Sequence, residues 1–390
     1  MTGPEALDRE RVERLRSGQA WRDFCIALEA AGDLVALEAR DDLERAEGYR
    51  YLTRLLRSSL ERFVENQEAF RPRVRPTPWR VSIAIQSPDQ DHPLIEIDGR
   101  SEYRIRGTRG SVPYASFLAL AAAVPADAGS RPVATPPGSD LEHFDPTALR
   151  ATGFLSVHDL ALEPDGSFTI ACSTEEEGPN WLRLEPDSSF IMVRQTFTDR
   201  ATQEPMTLVV ERVPPEPVRP VGASEVARNL AIAAQNVLGS AHRFVGWAHT
   251  LAKAPNTLAT IDPQYRSSGG SPDHLMYFGS FDLAPDQALV VRFALPPCDT
   301  WNFQACSWWA ENFDNYEDGD GFVTASTAVP EADGSYRVVC ASGPVGAANA
   351  IDLFGHHRGL LNLRIVHPGG TAEVSTEVVP LVGRGGVASP

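Results

Sequence analysis

The residues best suited to chemistry lie in one tryptophan-rich segment, Trp301-Asn-Phe-Gln-Ala-Cys-Ser-Trp-Trp-Ala-Glu-Asn312. If the segment is an extended strand, alternation places Trp301, Trp309 and Glu311 on the same face. Indole rings can hold sugars, flat apolar molecules or cations. A carboxyl group packed against indoles loses hydration, so its pKa rises toward neutrality. The segment predicts an aromatic-lined pocket with Glu311 as the acid, and a tryptophan core with a paired glutamate is the alternative.

A histidine pair with a nearby aspartate supplies a candidate base. Asp352 lies a few residues before the adjacent His356 and His357. Histidine titrates near neutral pH, and a carboxylate can orient it as a base. Because adjacent side chains of an extended segment point apart, we expect one of the two to face a site, and we favour His356. A histidine bonded to a backbone carbonyl at a turn is the alternative.

Arg194 is a candidate for binding an anion. It lies in the segment Phe190–Phe197, which is mainly apolar on both faces of an expected strand. An unpaired guanidinium is costly to bury, so we predict a buried Arg194 paired with a carboxylate, Asp199 being one candidate. The same group could bind a substrate carboxylate or phosphate. A structural ion-pair network with Asp199 and Arg200 is the alternative.

An arginine stripe marks the last helix expected before the strands. Arg50, Arg54 and Arg57 follow one another at steps of four and three residues. Such a stripe is usually a solvated helix face. Together with Glu47 and Tyr51, it could instead reach a cleft beneath the helix, so Tyr51 and Arg54 are candidate binding residues.

Cofactor chemistry has little support in the sequence. Lys253 is the single lysine and lacks a glycine-rich approach, which argues against a phosphate loop or a Schiff base. The five cysteines form no CxxC pair. An acidic loop could hold a divalent cation at Asp314, Asp318 and Asp320, but Tyr316 stands where a calcium loop needs a carboxylate. We therefore predict no cofactor and a solvated acidic loop.

Composition limits the partners and the location. The chain has 390 residues, 42% hydrophobic residues and a net charge of −17, as expected for a soluble globular protein. Nucleic acid and anionic membranes need a basic surface, so neither is an expected partner. The N-terminus lacks an apolar signal sequence, and no run of 18 apolar residues occurs. We expect a cytoplasmic protein whose partner is a small molecule, and the oligomeric state stays open.

Periodicity divides the chain into helical and strand-rich parts. Helical spacing of apolar residues precedes a proline-broken linker at 71–78, and short strands with glycine and proline turns follow it. We predict a mainly β (α+β) fold of two β-sandwich or jelly-roll-like domains, with an N-terminal helical segment and a long helix between the domains. The expected bounds are an N-terminal helical segment at 1–75, a first β-rich domain at 76–220, a connecting helix at 221–256, and a second β-rich domain with a C-terminal tail at 257–390.

Short blocks rich in arginine and aromatic residues stand out along the chain. They are Ala46–Arg54, Tyr103–Gly110, Asn180–Leu182, Val193–Arg200, Trp301–Asn312, and Gly355 and His356 with Gly359. In these blocks the chain resembles the bacterial domain-of-unknown-function family 1214, over most of residues 20–367. The resemblance implies a two-domain, β-rich cytoplasmic protein without a stated activity, and its third block adds Trp181 to the candidate binding residues. Asn349–Leu353 departs from the Asn-Trp-Leu-Asp-Thr run of that family.

These observations favour a cofactor-independent hydrolase or lyase that acts by acid/base chemistry on a small apolar or glycosidic molecule. Glu311 would be the acid and His356 with Asp352 the base. A non-catalytic protein that binds a small molecule or carbohydrate with the same tryptophan wall is the alternative. A structural protein, in which the polar groups pair among themselves, is a third class.

Overall fold

The computed structural model describes residues 3–65, 71–76, 85–133, 148–217, 219–343, 345–382 and 386–387. The α-helices of this part of the chain are α1 (Pro4–Arg16), α2 (Gln19–Glu38), α3 (Asp42–Ser59), α4 (Ala223–Leu251) and α5 (Asp262–Ser267). The strands before α4 are β1 (Gln90–Asp91), β2 (Leu94–Glu96), β3 (Glu102–Thr108), β4 (Tyr114–Ala122), β5 (Leu149–Ser156), β6 (Ser167–Ser173), β7 (Trp181–Arg183), β8 (Phe190–Thr196) and β9 (Thr207–Val213). The strands after α4 are β10 (Thr257–Ala259), β11 (His274–Asp282), β12 (Gln287–Ala294), β13 (Thr300–Cys306), β14 (Phe322–Thr324), β15 (Tyr336–Ala341), β16 (Ala350–Asp352), β17 (Arg358–Val366), β18 (Glu373–Val382) and β19 (Gly386–Val387).

The strands before α4 form two sheets that pack face to face. One sheet has the order β1-β8-β4-β5, with β2 also paired to β8, and the other has the order β7-β6-β3-β9. Their inner faces share one core, in which Phe117 and Ile191 of the first sheet join Ile105 and Phe168 of the second. Alternating inward side chains from two sheets are the mark of a β-sandwich.

The strands after α4 repeat this arrangement. Their sheets have the orders β10-β11-β17-β13-β14 and β16-β15-β12-β18-β19. A second core joins Phe303 and Leu363 of one sheet to Leu289 and Val338 of the other. The fold is therefore mainly β with two sandwich-like sheet pairs, an N-terminal group of helices and a long intervening helix, which confirms the predicted fold class.

The helices cover one face of the second sandwich. Val237, Phe244 and Ala248 of α4 pack in a cluster with Leu55 of α3 and Phe278 of β11. The spacing of seven and four residues on α4 is that of an amphipathic helix buried along one side. None of the helices in the described ranges is long and apolar enough to cross a membrane.

One local expectation differs from the structure. Strand β13 ends at Cys306, and the chain then turns, with the backbone of Ala310 in the left-handed region at φ 58°. The alternation expected to continue to Glu311 therefore stops before Trp309.

Candidate functional site

The predicted acid lies in an ion pair between α3 and the second sandwich. The guanidinium of Arg54 donates to Glu311 at 2.6 Å (Nη1 to Oε2). Glu311 is 4% exposed, and its burial outweighs the attraction of Arg54 and raises the pKa of the carboxyl to about 7. The neighbouring Arg50 donates to Asp314 at 2.6 Å. Arg50 and Arg54 of helix α3 thus both pair with carboxylates that follow β13.

The predicted base has a different carboxylate partner from the one expected. Nε2 of His356 lies 2.9 Å from Oε2 of Glu47, and its Nδ1 lies 2.8 Å from the carbonyl oxygen of Leu353. Burial opposes the imidazolium, but the hydrogen bond to Glu47, the charge of Glu47 and the backbone hydrogen bonds at Leu353 and Phe354 together outweigh it and raise the pKa of His356. Asp352 instead accepts backbone N–H groups of Gly343 and Phe354 at 2.9 and 2.8 Å. The predicted pairing of His356 with Asp352 is wrong.

The tryptophans do not form one wall. Trp301 packs against Phe293 and Tyr336 inside the second sandwich, with ring centroids 5.1 and 4.5 Å away. Trp309 stacks on Tyr51 at 6.4 Å in the separate cluster beneath α3. The chain turn after β13 separates the two indoles, so the common face predicted for them is wrong.

Trp181 lies away from these clusters, in a different sandwich. It belongs to β7, at the edge of a sheet of the first sandwich, and its indole N–H donates to the Ser173 hydroxyl and carbonyl at 3.1 and 3.2 Å. The acidic loop does not form a three-ligand metal site in the described structure. The carboxylates of Asp314, Asp318 and Asp320 are not close enough together to hold one ion.

A largely apolar cavity lies where the two sandwiches meet α4. Its volume is about 210 Å³, and its walls come from the first sandwich, from α4 and from β11 and β17 of the second. Most of the lining is apolar, and it includes Phe190, Met192, Phe244, Trp247, Met276 and Phe278. Arg194 is the one predicted site residue that lines this cavity, whereas the Glu311 and His356 clusters do not.

The charged lining of the cavity is exclusively basic among the described residues. Arg62, Arg194, Arg243 and Arg364 line it, and no aspartate or glutamate of the described ranges does. Arg62 bonds the Glu96 carboxylate at 2.6 Å, and Arg243 bonds the hydroxyl of Ser268 at 3.1 Å. The protein as a whole carries a net charge of −17, so the cavity has the opposite sign to the chain.

Arg194 is buried as predicted, but its partner is a backbone carbonyl. It is 5% exposed, its Nη2 donates a short hydrogen bond to Gly269, and its Nη1 has no hydrogen-bond partner in the described structure. Gly269 presents this carbonyl from a left-handed turn with φ 84°, a conformation that favours glycine. Asp199 is exposed and bonds Thr202 at 2.7 Å. The predicted carboxylate partner of Arg194 is therefore wrong.

Arg364 is a second buried cation of the same kind. It is 5% exposed, donates to the carbonyl of Ile85 at 3.4 Å, and has an Nη1 without a hydrogen-bond partner among the described residues. Asp89 attracts it but is not part of the cavity lining, and its carboxylate bonds Ser87 and Asn302 at 2.6 and 2.8 Å. Burial lowers the pKa of both arginines, and their mutual repulsion adds to this effect at Arg194.

Two histidines complete the polar side of the cavity. Burial, followed by the positive charge of Arg194, holds the pKa values of His92 and His274 well below the ordinary value. Both imidazoles are therefore neutral at physiological pH and can act as hydrogen-bonding groups. The hydroxyl of Tyr265 lies 3.4 Å from Nδ1 of His274, and Nε2 of His274 has no hydrogen-bond partner in the described ranges.

The sequence contained a signal for the residue that was missed. Arg364 lies in Leu360-Leu-Asn-Leu-Arg-Ile-Val366, an apolar strand interrupted by one arginine, as Arg194 does in its own strand. The same reasoning applied to both strands would have indicated two buried arginines. The histidines carry no comparable local signal, because the second sandwich and the loop before β2 bring them to the cavity.

Comparison with known proteins identifies relatives without a stated activity. No protein-family model and no curated protein matches the chain. A solved structure of an uncharacterised protein from Burkholderia cenocepacia is 34% identical, with a TM-score of 0.84 over 95% of this chain and 99% of that one. A protein from Vibrio parahaemolyticus matches over 90% of this chain and 100% of its own at 9% identity, with a TM-score of 0.43. By its identity and coverage, the chain belongs to the same family as the Burkholderia cenocepacia protein.

Proposed function

We propose that the protein binds a small anion with an apolar body, such as a ring or short-chain carboxylate, in the cavity between the sandwiches. The observation that carries the proposal is the pair of buried arginines, Arg194 and Arg364, in a lining that lacks acidic residues in the described ranges. A carboxylate suits the planar donors of arginine, and it could accept two parallel hydrogen bonds.

The energetics of the two buried arginines support an anionic ligand. An unpaired buried ion carries a desolvation penalty of several kcal/mol, on the order of magnitude measured for broken buried pairs. Arg194 offsets part of this penalty with one hydrogen bond to the Gly269 carbonyl, and Arg364 with one to the Ile85 carbonyl and with the attraction of Asp89. A bound anion would supply the missing charge and accept further hydrogen bonds. Neutral His274 could contribute a hydrogen bond without adding repulsion.

The size and lining of the cavity restrict the rest of the ligand. A cavity of about 210 Å³ is somewhat larger than the ~150 Å³ cavity that binds benzene in an engineered protein. One ring or a short aliphatic chain with a carboxylate would fit this volume. The aromatic and methionine side chains favour an apolar body. A glycoside has less support, because the tryptophans expected to stack on sugars lie elsewhere.

Calorimetric titration with benzoate, benzamide and benzyl alcohol tests the proposal. We expect benzoate to bind at least ten times more tightly than the two neutral analogues of similar shape. Replacement of Arg194 by methionine should remove this preference. Replacement of Arg106 by methionine is the matched control, because Arg106 is an exposed strand arginine paired with Glu211. Equal affinity for the three probes, or a preference that survives in Arg194→Met, would contradict an anion site.

An acid/base hydrolase or lyase at the α3 cluster is the second candidate. It is favoured by the pKa of Glu311, raised to about 7, since a general acid works best when its pKa is near the operating pH. A screen of ester, amide and glycoside substrates would compare the parent with Glu311→Gln. An exposed residue, Glu331, gives the control Glu331→Gln. Turnover that persists in Glu311→Gln, or ligand affinity without product, would contradict this candidate.

A further inference from the structure

Three potential metal ligands meet at the seam between the two sandwiches. His158 comes from the short helical turn Val157–Asp159 that follows β5 in the first sandwich. Asp299 immediately precedes β13, and His367 immediately follows β17, both in the second sandwich. Their ligand atoms all lie within 4.8 Å of one another, and no other set of three such residues does so in the described ranges.

The distances suit first-row transition-metal coordination. Oδ2 of Asp299 lies 2.9 Å from Nε2 of His158 and 3.3 Å from Nδ1 of His367. With metal–ligand bonds of ~2.0–2.2 Å, adjacent ligand atoms of one ion are separated by about 2.8–3.1 Å in octahedral and about 3.3–3.6 Å in tetrahedral geometry. Only small side-chain adjustments are therefore needed to place all three around one ion.

The backbone holds two of the ligands in place. The N–H of Asp299 donates to the Val366 carbonyl at 3.0 Å, and the N–H of His367 donates to the Asp273 carbonyl at 2.9 Å. His367 has a left-handed backbone with φ 50°. This conformation is uncommon for a residue other than glycine, and such outliers concentrate at functional sites. In this conformation the His367 imidazole lies beside Asp299 and 4.6 Å from the His158 ring, between ring centroids.

An aromatic ring supports the two imidazoles. The ring of Tyr114 lies 5.7 Å from that of His158 and 6.2 Å from that of His367, between ring centroids. All three ligands remain partly solvent-accessible, with exposed side-chain fractions of 43% for His158, 26% for Asp299 and 51% for His367. Exposed ion pairs contribute little to stability. The pairs of Asp299 with His158 and His367 would therefore stabilise the fold only weakly if they bound no ion.

We propose that His158, Asp299 and His367 bind one divalent transition-metal ion, with Zn²⁺ as the type case. Two imidazoles and one carboxylate suit Zn²⁺ and its first-row neighbours, whereas Mg²⁺ and Ca²⁺ prefer all-oxygen sites. The three ligands leave coordination positions open to solvent. Because the ligands come from both sandwiches, the ion also links the two parts that enclose the cavity.

Metal titration of the full-length protein tests this proposal. After treatment with EDTA and dialysis, Zn²⁺ and Co²⁺ are titrated separately by calorimetry and by visible absorption. We expect one ion per chain and a Co²⁺ spectrum without a thiolate charge-transfer band, since the proposed ligands include no sulfur. We also expect Zn²⁺ to raise the melting temperature of the parent.

Three substitutions and one control make the test specific. His158→Gln, Asp299→Asn and His367→Asn should each weaken Zn²⁺ binding at least tenfold; asparagine at 367 tolerates the left-handed backbone. The control is His357→Ala, because His357 is exposed and outside the cluster. It should bind Zn²⁺ like the parent, and circular dichroism should show that all variants are folded. A parent that binds no ion, or ligand variants that bind as tightly as the parent, would overturn the proposal.

Discussion

Replacement of Arg194 by methionine should leave the ligand-free protein as stable as the parent, or more stable. The substitution removes the bond to Gly269 and leaves its carbonyl without that donor, at a cost of about 1.5–3 kcal/mol. It also removes the desolvation penalty of an unpaired buried cation, which is several kcal/mol. We expect the free energy of unfolding to stay unchanged or rise by about 1–2 kcal/mol. No carboxylate is stranded, because none in the described structure pairs with Arg194.

Urea denaturation at low salt, followed by tryptophan fluorescence, measures this change. The matched comparison is Arg358→Met, because Arg358 is equally buried but bonds the Glu44 carboxylate at 2.6 Å through two nitrogens. Breaking that buried pair should cost about 3–5 kcal/mol. If Arg194→Met loses as much stability as Arg358→Met, Arg194 has an ionic partner and the reasoning fails.

The order of stability should reverse when an anion is present. A ligand at 100 times its Kd stabilises the folded protein by about 2.7 kcal/mol. We expect benzoate to stabilise the parent in this way and to have little effect on Arg194→Met. The loss of one charge-assisted hydrogen bond, about 1.5–3 kcal/mol, corresponds to a Kd raised by about 10- to 150-fold. Benzoate stabilising both proteins equally would show that the anion binds elsewhere.

Three further outcomes are expected. Gly48→Ala should destabilise the protein by about 1–3 kcal/mol in urea melts, because an added Cβ would lie 2.7 Å from the ring of Trp309; a neutral result would contradict this packing of α3. Trp301→Ala should cost about 3–5 kcal/mol yet leave benzoate affinity unchanged, since Trp301 is a core residue outside the cavity. Burial raises the pKa of Glu311 from 4.5 to about 7, so the folded state holds this proton more tightly than the unfolded state. The resulting stabilisation is complete below pH 4.5 and is lost as the pH rises through 7, and Glu311→Gln should flatten this part of the stability profile.

The fold was predictable because local patterns and the tertiary structure agree. Strand periodicity, glycine and proline turns and the amphipathic spacing of α4 all reflect burial on one face, which the two sandwiches provide. The alternation predicted from Trp301 to Glu311 was wrong because the strand ends at Cys306 and the chain turns. The residues of this turn are as aromatic as those of the strand, so the sequence gives no sign of where the strand ends.

The candidate site was only partly predictable because its contacts are distant in the chain. The burial of Arg194 followed from its apolar neighbours, but its partner Gly269 lies 75 residues away. The carboxylate that pairs with His356 is Glu47, 309 residues away, rather than the nearby Asp352. Proximity in sequence favoured the wrong partner in both cases, since a single sequence carries no information on which distant segment supplies a contact.

The origin of the cavity walls has a consequence for how the protein acquires its binding site. Arg194, Phe244 and Arg364 come from β8, α4 and β17 respectively, so the site exists only after both sandwiches have folded and docked on the helix. Neither half expressed alone would contain it. A newly made chain would gain its affinity for the anion only when the two sandwiches have docked on α4. Because the anion would bind this docked form alone, it would shift the equilibrium from partly docked chains to fully docked ones by mass action. The ligand would then stabilise the correctly assembled protein, in addition to being its cargo or substrate.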